Sequence, residues 1–189
     1  MNNLFFDCSG GVSGDMLVAA LLDLGVPLSV IEEPLRDLGL GQSFLLRAPE
    51  EKSLGFRGVR FYVDDIKIEK NRYSWKEIKD NIESSNWDNS LKENVRDVFY
   101  QLALAESSVH GTTIDNVHFH EIGFLDSFID VVATCSSIQY LKPENIFCSF
   151  PPSGSGFVNT LHGLLPVPVP VVLELAKNNN INLLTGNSI

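Results

Sequence analysis

The sequence predicts a mixed α/β or α+β fold, one main domain in which a small mixed sheet carries packed helices. Three observations point there. Residues 4–6 form a short apolar segment that runs into a turn rich in glycine and serine, then into the helical spacing of Leu17, Ala20, Leu21 and Leu24. Residues 44–48 and 54–63 carry the apolar, aromatic and alternating pattern of strands. After Gly123 the period changes, and Leu125, Phe128, Ile129 and Val132 recur at helical spacing toward Leu141. Strands interleaved with helices bury their apolar faces by packing helix on sheet, with strands expected near Leu4, Phe44, Leu54, Val117 and Phe147. The pattern carries no strand order.

Composition narrows the function classes. At 189 residues the chain supports one sizeable core, and 44% apolar with 20% charged residues is ordinary for a globular domain. A net charge of −10 argues against nucleic acid or an anionic membrane surface as partner, since both need clustered Lys and Arg. No apolar run is long enough to span a bilayer, and the first residues lack the basic region of a signal peptide. Cys8, Cys135 and Cys148 form no Cys-x-x-Cys pair, which excludes a disulfide framework and a cysteine-based zinc site and makes a reducing cytoplasm the expected compartment.

The remaining elements follow in order. Gly25 closes the first helix. Leu28, Ile31, Leu35 and Leu38 mark a second, bent at Pro34 and ending at Gly39. Residues 49–53 read as a hairpin-like connection between the two strands, whose Arg47, Arg57 and Arg60 are expected to be solvated edge charges. Residues 64–73 read as a polar loop. Ser74 and Glu77 form a capping box that opens a helix through Ile78 and Ile82. Asp88 or Ser90 opens another, with Leu91, Val95, Val98, Phe99, Leu102, Ala103 and Glu106 on or near one stripe, closing at His110 and Gly111. Residues 146–150 read as a strand, Pro170 as the first residue of a helix over 171–177, and Leu183 and Leu184 as the start of another strand.

Chemistry concentrates in residues 118–130. Extended backbone at 117–121 would put His118 and His120 on one face, about six to seven Å apart, with Val117, Phe119 and Glu121 on the other. Asp126 and Asp130, four apart on a helix, repel by a few tenths of a kcal/mol, and a cation or a basic side chain would relieve them. The structural alternative is that Asp126 complements the helix dipole, as His110 would at the opposite end of its own helix. The turn at 9–14 leaves backbone N–H groups at a helix start, an anion site by construction, yet it has neither the lysine of a Walker A loop nor the Gly-x-Gly-x-x-Gly spacing. Asp7 and Asp15 would repel a bare phosphate unless a cation lay between; alternatively Ser13 caps the helix and Asp15 favours its dipole. Gly154, Ser155 and Gly156 can form a backbone nest for an anion, and His162 follows in a turn.

Three blocks together resemble the LarC nickel-insertion proteins: residues 7–16 (Asp-Cys-Ser-Gly-Gly-Val-Ser-Gly-Asp-Met); residues 105–123 with Val-His-Phe-His-Glu-Ile-Gly at their end, continuing to Asp126, Ser127 and Asp130; and Gly154-Ser155-Gly156 with His162-Gly163 and Pro166-Val167-Pro168. The resemblance implies insertion of nickel into a pyridinium bisthiocarboxylic acid mononucleotide, the precursor of the nickel-pincer cofactor of lactate racemase, in a CTP-dependent step. It implies residues 1–189 as the N-terminal domain, with the family's C-terminal domain absent, and CTP with Mn²⁺ or Mg²⁺ bound through that missing domain. The histidine-rich run common in the family has no counterpart at residues 64–74. The expected metal ligands are His118, His120, Glu121, Asp126 and Asp130; the expected catalytic groups are Asp7, Asp15, Glu121 and His162; and Ser13, Gly14, Gly154, Ser155 and Gly156 are expected at the cofactor precursor. A homo-oligomer is compatible with this pattern. Two other classes fit the residues: a metal-dependent hydrolase of a small phosphorylated substrate with His120 or Glu121 as general base, and a non-catalytic scaffold whose polar cluster orders a core or an oligomer interface.

Overall fold

The computed structural model describes residues 2–38, 44–64, 73–119 and 124–185. Helices and two-stranded ladders alternate along the chain, as the mixed pattern predicts. The sheet is divided: among the described residues every ladder has two strands. Strand β1 (Asn3–Phe6) pairs in parallel with β8 (Asn145–Cys148), 142 positions further along the chain. Helices α1 (Gly14–Asp23) and α2 (Leu28–Asp37) follow β1.

Strand β2 (Leu45–Arg47) pairs antiparallel with β5 (Tyr62–Asp64), and β3 (Glu50–Ser53) with β4 (Phe56–Val59). Residues 50–53, expected as a connection, are thus a strand, and the expected strand at 54–63 is two. The first change follows from Leu54 and Gly55, which take φ of 49° and 88°, the left-handed pair of a tight hairpin turn. The arginines there are charge-paired on the surface: Arg47 with Asp64, Arg57 with Asp23 and Glu50, Arg60 with Glu51.

Strand β6 (Tyr73–Ser74) pairs with β7 (His118–Phe119) and leads into α3 (Trp75–Ser84), whose capping box is complete: Ser74 Oγ accepts from the Glu77 amide and the Glu77 carboxylate accepts from the Ser74 amide. Helix α4 (Asn89–His110) is capped by Asp88, which accepts from the Leu91 amide, and ends at Gly111 with φ 61°. Helix α5 (Phe124–Leu141) spans the predicted segment. Strands β9 (Phe157–Thr160) and β10 (Gly163–Pro166) form a hairpin absent from the sequence expectation, and α6 (Pro170–Asn178) starts at its proline. Leu184 bridges Pro152 in parallel, beginning the expected strand. The expected helix end at Gly39 and most of the loop at 64–73 fall outside the described residues.

Helix α5 is the axis of the core. Phe128, Ile129, Val132 and Ala133 are at most 1% exposed and sit with Val18, Ile31, Leu35, Val95 and Phe99. Each such large apolar side chain contributes about 1.5–3 kcal/mol when buried. The Phe128 ring stacks on Phe99 at 5.5 Å and lies 6.5 Å from Trp87. Pro34 sits inside α2, and its carbonyl accepts the Trp87 indole N–H at 2.8 Å. The outcome that matters for function is the packing of α5 on α1, which brings the carboxylates of one to the N-terminus of the other. No described helix is long and apolar enough to cross a membrane.

Candidate functional site

The carboxyl ends of parallel strands β1 and β8 form the frame. Ser149, just beyond β8, donates its hydroxyl to the Asp7 carboxylate at 3.1 Å and accepts the Cys8 amide at 2.7 Å. Hydrogen bonds from Ser9, side chain and backbone, and from Ser149 hold the Asp7 carboxyl below the usual range. Burial pushes the Cys8 thiol up, with Cys148 and Asp7 adding to it. Ligands of parallel α/β sheets gather at this end of the strands.

The turn after Asp7 delivers the chain to α1. Ser13 occupies the N-cap position with extended backbone, but its hydroxyl goes to the Asp15 carboxylate and makes no cap bond to the helix. The alternative in which Ser13 caps the helix is therefore corrected: its hydroxyl is turned to donate to the Asp15 carboxylate, and its oxygen accepts no amide N–H of the first turn.

Gly14 explains the absence of a side chain at the helix start. A Cβ there would lie 2.6 Å from both Cβ and Cγ of Asp130, so only glycine lets α5 come this close. Asp130 is half-buried in that contact, and its carboxyl is pushed up to about 6 by burial, then by Asp15 and Asp126. Asp126 stands one turn earlier, in the first turn of α5. Three carboxylates from two helices are thus drawn to one helix start. Among the described residues, no three His, Cys, Asp or Glu side chains form a ready metal cage, so the group is a loose acidic cradle.

The other expected residues are placed as follows. His118 is exposed on β7 while Val117 and Phe119 are buried at 3%, as alternation predicts. Hydrogen bonds from the Ser74 backbone and side chain lower the Glu77 pKa, and His118 adds to that, which puts His118 beside α3. His120 and Glu121 lie outside the described residues. Gly154, Ser155 and Gly156 are exposed; Gly154 and Gly156 take φ of 70° and 94°, and the Val167 amide donates to the Gly156 carbonyl at 2.9 Å. His162, in the β9–β10 turn, packs against His110 at the end of α4, with ring centres 4.9 Å apart. Sequence reasoning did not single out Glu106, whose carboxylate lies 3.3 Å from His110 Nε2. The i,i+4 spacing of Glu106 and His110 on the predicted helix was the available signal.

Comparison with known proteins adds the family. Residues 4–188 match the model of a family described as nickel insertion protein. Relatives carrying that family name include proteins of Geobacter metallireducens (42% identical over 94% of this chain and 45% of the relative), Geobacter sulfurreducens (43%, 94% and 46%) and a Synechococcus species (37%, 93% and 44%). The chain spans about half the length of these curated relatives. No solved structure matches it.

Proposed function

The chain belongs to the nickel insertion protein family, and from that premise we propose that it receives Ni²⁺ as cargo and presents it for insertion into pyridinium bisthiocarboxylic acid mononucleotide, the precursor of the nickel-pincer cofactor of lactate racemase. The observation that carries this reading is Asp130, held against Gly14 with Asp15 and Asp126 around it. A divalent cation placed among these carboxylates removes the mutual repulsion that raises Asp130, and nickel accepts both carboxylate and imidazole donors. His118, followed in sequence by His120 and Glu121, supplies the borderline donors. Asp7 and the turn at 9–14 frame the end of the parallel strands where a phosphate of the precursor would be met. CTP, with Mn²⁺ or Mg²⁺, enters through the portion of the relatives that this chain does not span. Equilibrium dialysis tests the proposal. Ni²⁺ uptake by the wild type should weaken at least tenfold in D126N/D130N, with a further loss in H118A/H120A. Unchanged uptake in D126N/D130N overturns it.

A further inference from the structure

A second neighbourhood of metal-ligating side chains lies away from α1. Between α4, α6 and the β9–β10 hairpin is a cavity of about 450 Å³, lined by apolar side chains such as Leu102, Leu165 and Leu175 and by Glu106, His110 and His162. The two helices that wall it are tied by Ser108 to Glu174 at 3.3 Å and by Asn179 to Gln101 at 3.4 Å.

The imidazoles come from different elements, and their planes are inclined at 47°. The Glu106 carboxylate, whose side chain is 8% exposed, stands on His110 Nε2. A carboxylate beside Nε2 favours the tautomer with its proton on that nitrogen, in which Nδ1 carries the lone pair. Carboxylates brace histidine ligands of metals in this way, from behind. An ion about 2.1 Å from one nitrogen of each ring would sit about 3.2 Å from each ring centre. The observed 4.9 Å between centres then corresponds to an angle at the ion of about 100°, between the octahedral and tetrahedral values.

We propose that His110 and His162 form a two-imidazole site for a divalent transition-metal ion, braced by Glu106, with the remaining coordination positions open to a ligand whose apolar body fills the cavity. No third His, Cys, Asp or Glu completes a cage among the described residues, so the ion is held by few protein bonds and can be handed on. The site extends the nickel reading only in the identity of the ion. It is otherwise independent of the carboxylates at Gly14.

The probes are Cu²⁺, whose electron paramagnetic resonance shows coupling to coordinated imidazole nitrogen, and Ni²⁺ in titration calorimetry, both on the intact metal-free chain. With His118 and His120 first replaced by glutamine, so that only this site offers imidazole, nitrogen coupling should persist, be lost on adding H110Q/H162Q and be retained on adding D126N/D130N. H162Q alone should weaken Ni²⁺ binding at this site at least tenfold, and E106Q by about 10- to 100-fold. His162 is exposed in a turn, so H162Q should keep the wild-type thermal melt, and H162N serves as the second variant. Absence of nitrogen coupling in H118Q/H120Q, where His110 and His162 are intact, overturns this site and leaves the carboxylate reading standing. Ni²⁺ uptake indifferent to D126N/D130N overturns that reading and leaves this site standing.

Discussion

Replacing Asp130 with asparagine separates stability from metal binding. The carboxyl titrates near 6, against an ordinary 3.8, because burial, Asp15 and Asp126 all disfavour its charge. Between those two values the folded protein holds a proton that the unfolded chain has released, so folding stability falls as pH rises from about 4 to 6 and stays reduced above it. A shift of about two units corresponds to about 3 kcal/mol if fully expressed. Asp130 is only half-buried, and solvent screening reduces this to about 1–2 kcal/mol. Asparagine has nearly the same shape and no charge. At pH 7.5 in EDTA, D130N should therefore be more stable than wild type by about 1–2 kcal/mol, or several degrees in Tm, and the two should converge at pH 4. Added Ni²⁺ at about 100 times its Kd for the carboxylate site should raise wild-type stability through that site by about 2.7 kcal/mol, and D130N, with affinity there at least tenfold weaker, by no more than about 1.4 kcal/mol. Urea titrations over pH 4–8 measure all of this. A variant less stable than wild type at pH 7.5, or one that keeps the wild-type pH slope, would refute the argument.

Two further predictions bear on the scaffold. G14A places a methyl group 2.6 Å from Asp130 Cβ and Cγ; the forced separation of α1 from α5 should cost about 1–3 kcal/mol and weaken Ni²⁺ binding, and a thermal melt and dialysis matching wild type would show the contact to be dispensable. Asp88 caps α4 through the Leu91 amide and also accepts from Gln139 Nε2 at 2.6 Å. D88A should cost about 0.5–2 kcal/mol at pH 7. The Leu91 bond, then Gln139 and Ser90, hold the Asp88 carboxyl below its ordinary range, so its contribution is present above the ordinary carboxylate pKa and lost as pH falls through the lower folded value. Denaturant midpoints at pH 7 and pH 3 should show the gap between D88A and wild type narrowing in acid; a constant gap would assign the effect to something other than the carboxylate.

What was legible in the sequence was mostly local. Ser74 with Glu77, Asp88, Gly111 and Pro170 mark helix ends through bonds made within a few residues, and the structure uses each of them as the pattern says. The buried stripe of α5 was equally clear, since its period depends only on its own residues. Strand pairing was not, because it depends on distant partners: nothing near Phe5 announces Phe147 opposite it. The hairpin from β9 to β10 was obscured by Pro166 at its end, a residue that weakens any strand pattern. At the candidate site, the repulsion between Asp126 and Asp130 could be read from helical spacing, whereas the reason for Gly14 could not. Gly14 looked like one more flexible turn residue, and only the approach of a carboxylate from a helix far along the chain gives it a steric role. His110 was read as a helix-end charge because its partner His162 lies in a hairpin that the sequence did not reveal.

The parallel ladder between β1 and β8 also sets an order of events during synthesis. Asn3 hydrogen-bonds Asn145 across 142 positions of the chain, so β1 is made first and finds its partner among the last elements. At ribosomal speeds of about 5–20 residues per second, it waits about 7–30 s. Throughout that interval Leu4 to Phe6 present an unpaired apolar edge, while α1 to α5 can already close around Phe128. The Asp7–Ser149 tether forms later still, so the acidic cradle at Gly14 can assemble on the nascent chain before the strand ends that frame it. A newly made molecule would pass through a stage with its carboxylates gathered and its first strand open to capture by a chaperone or by another copy.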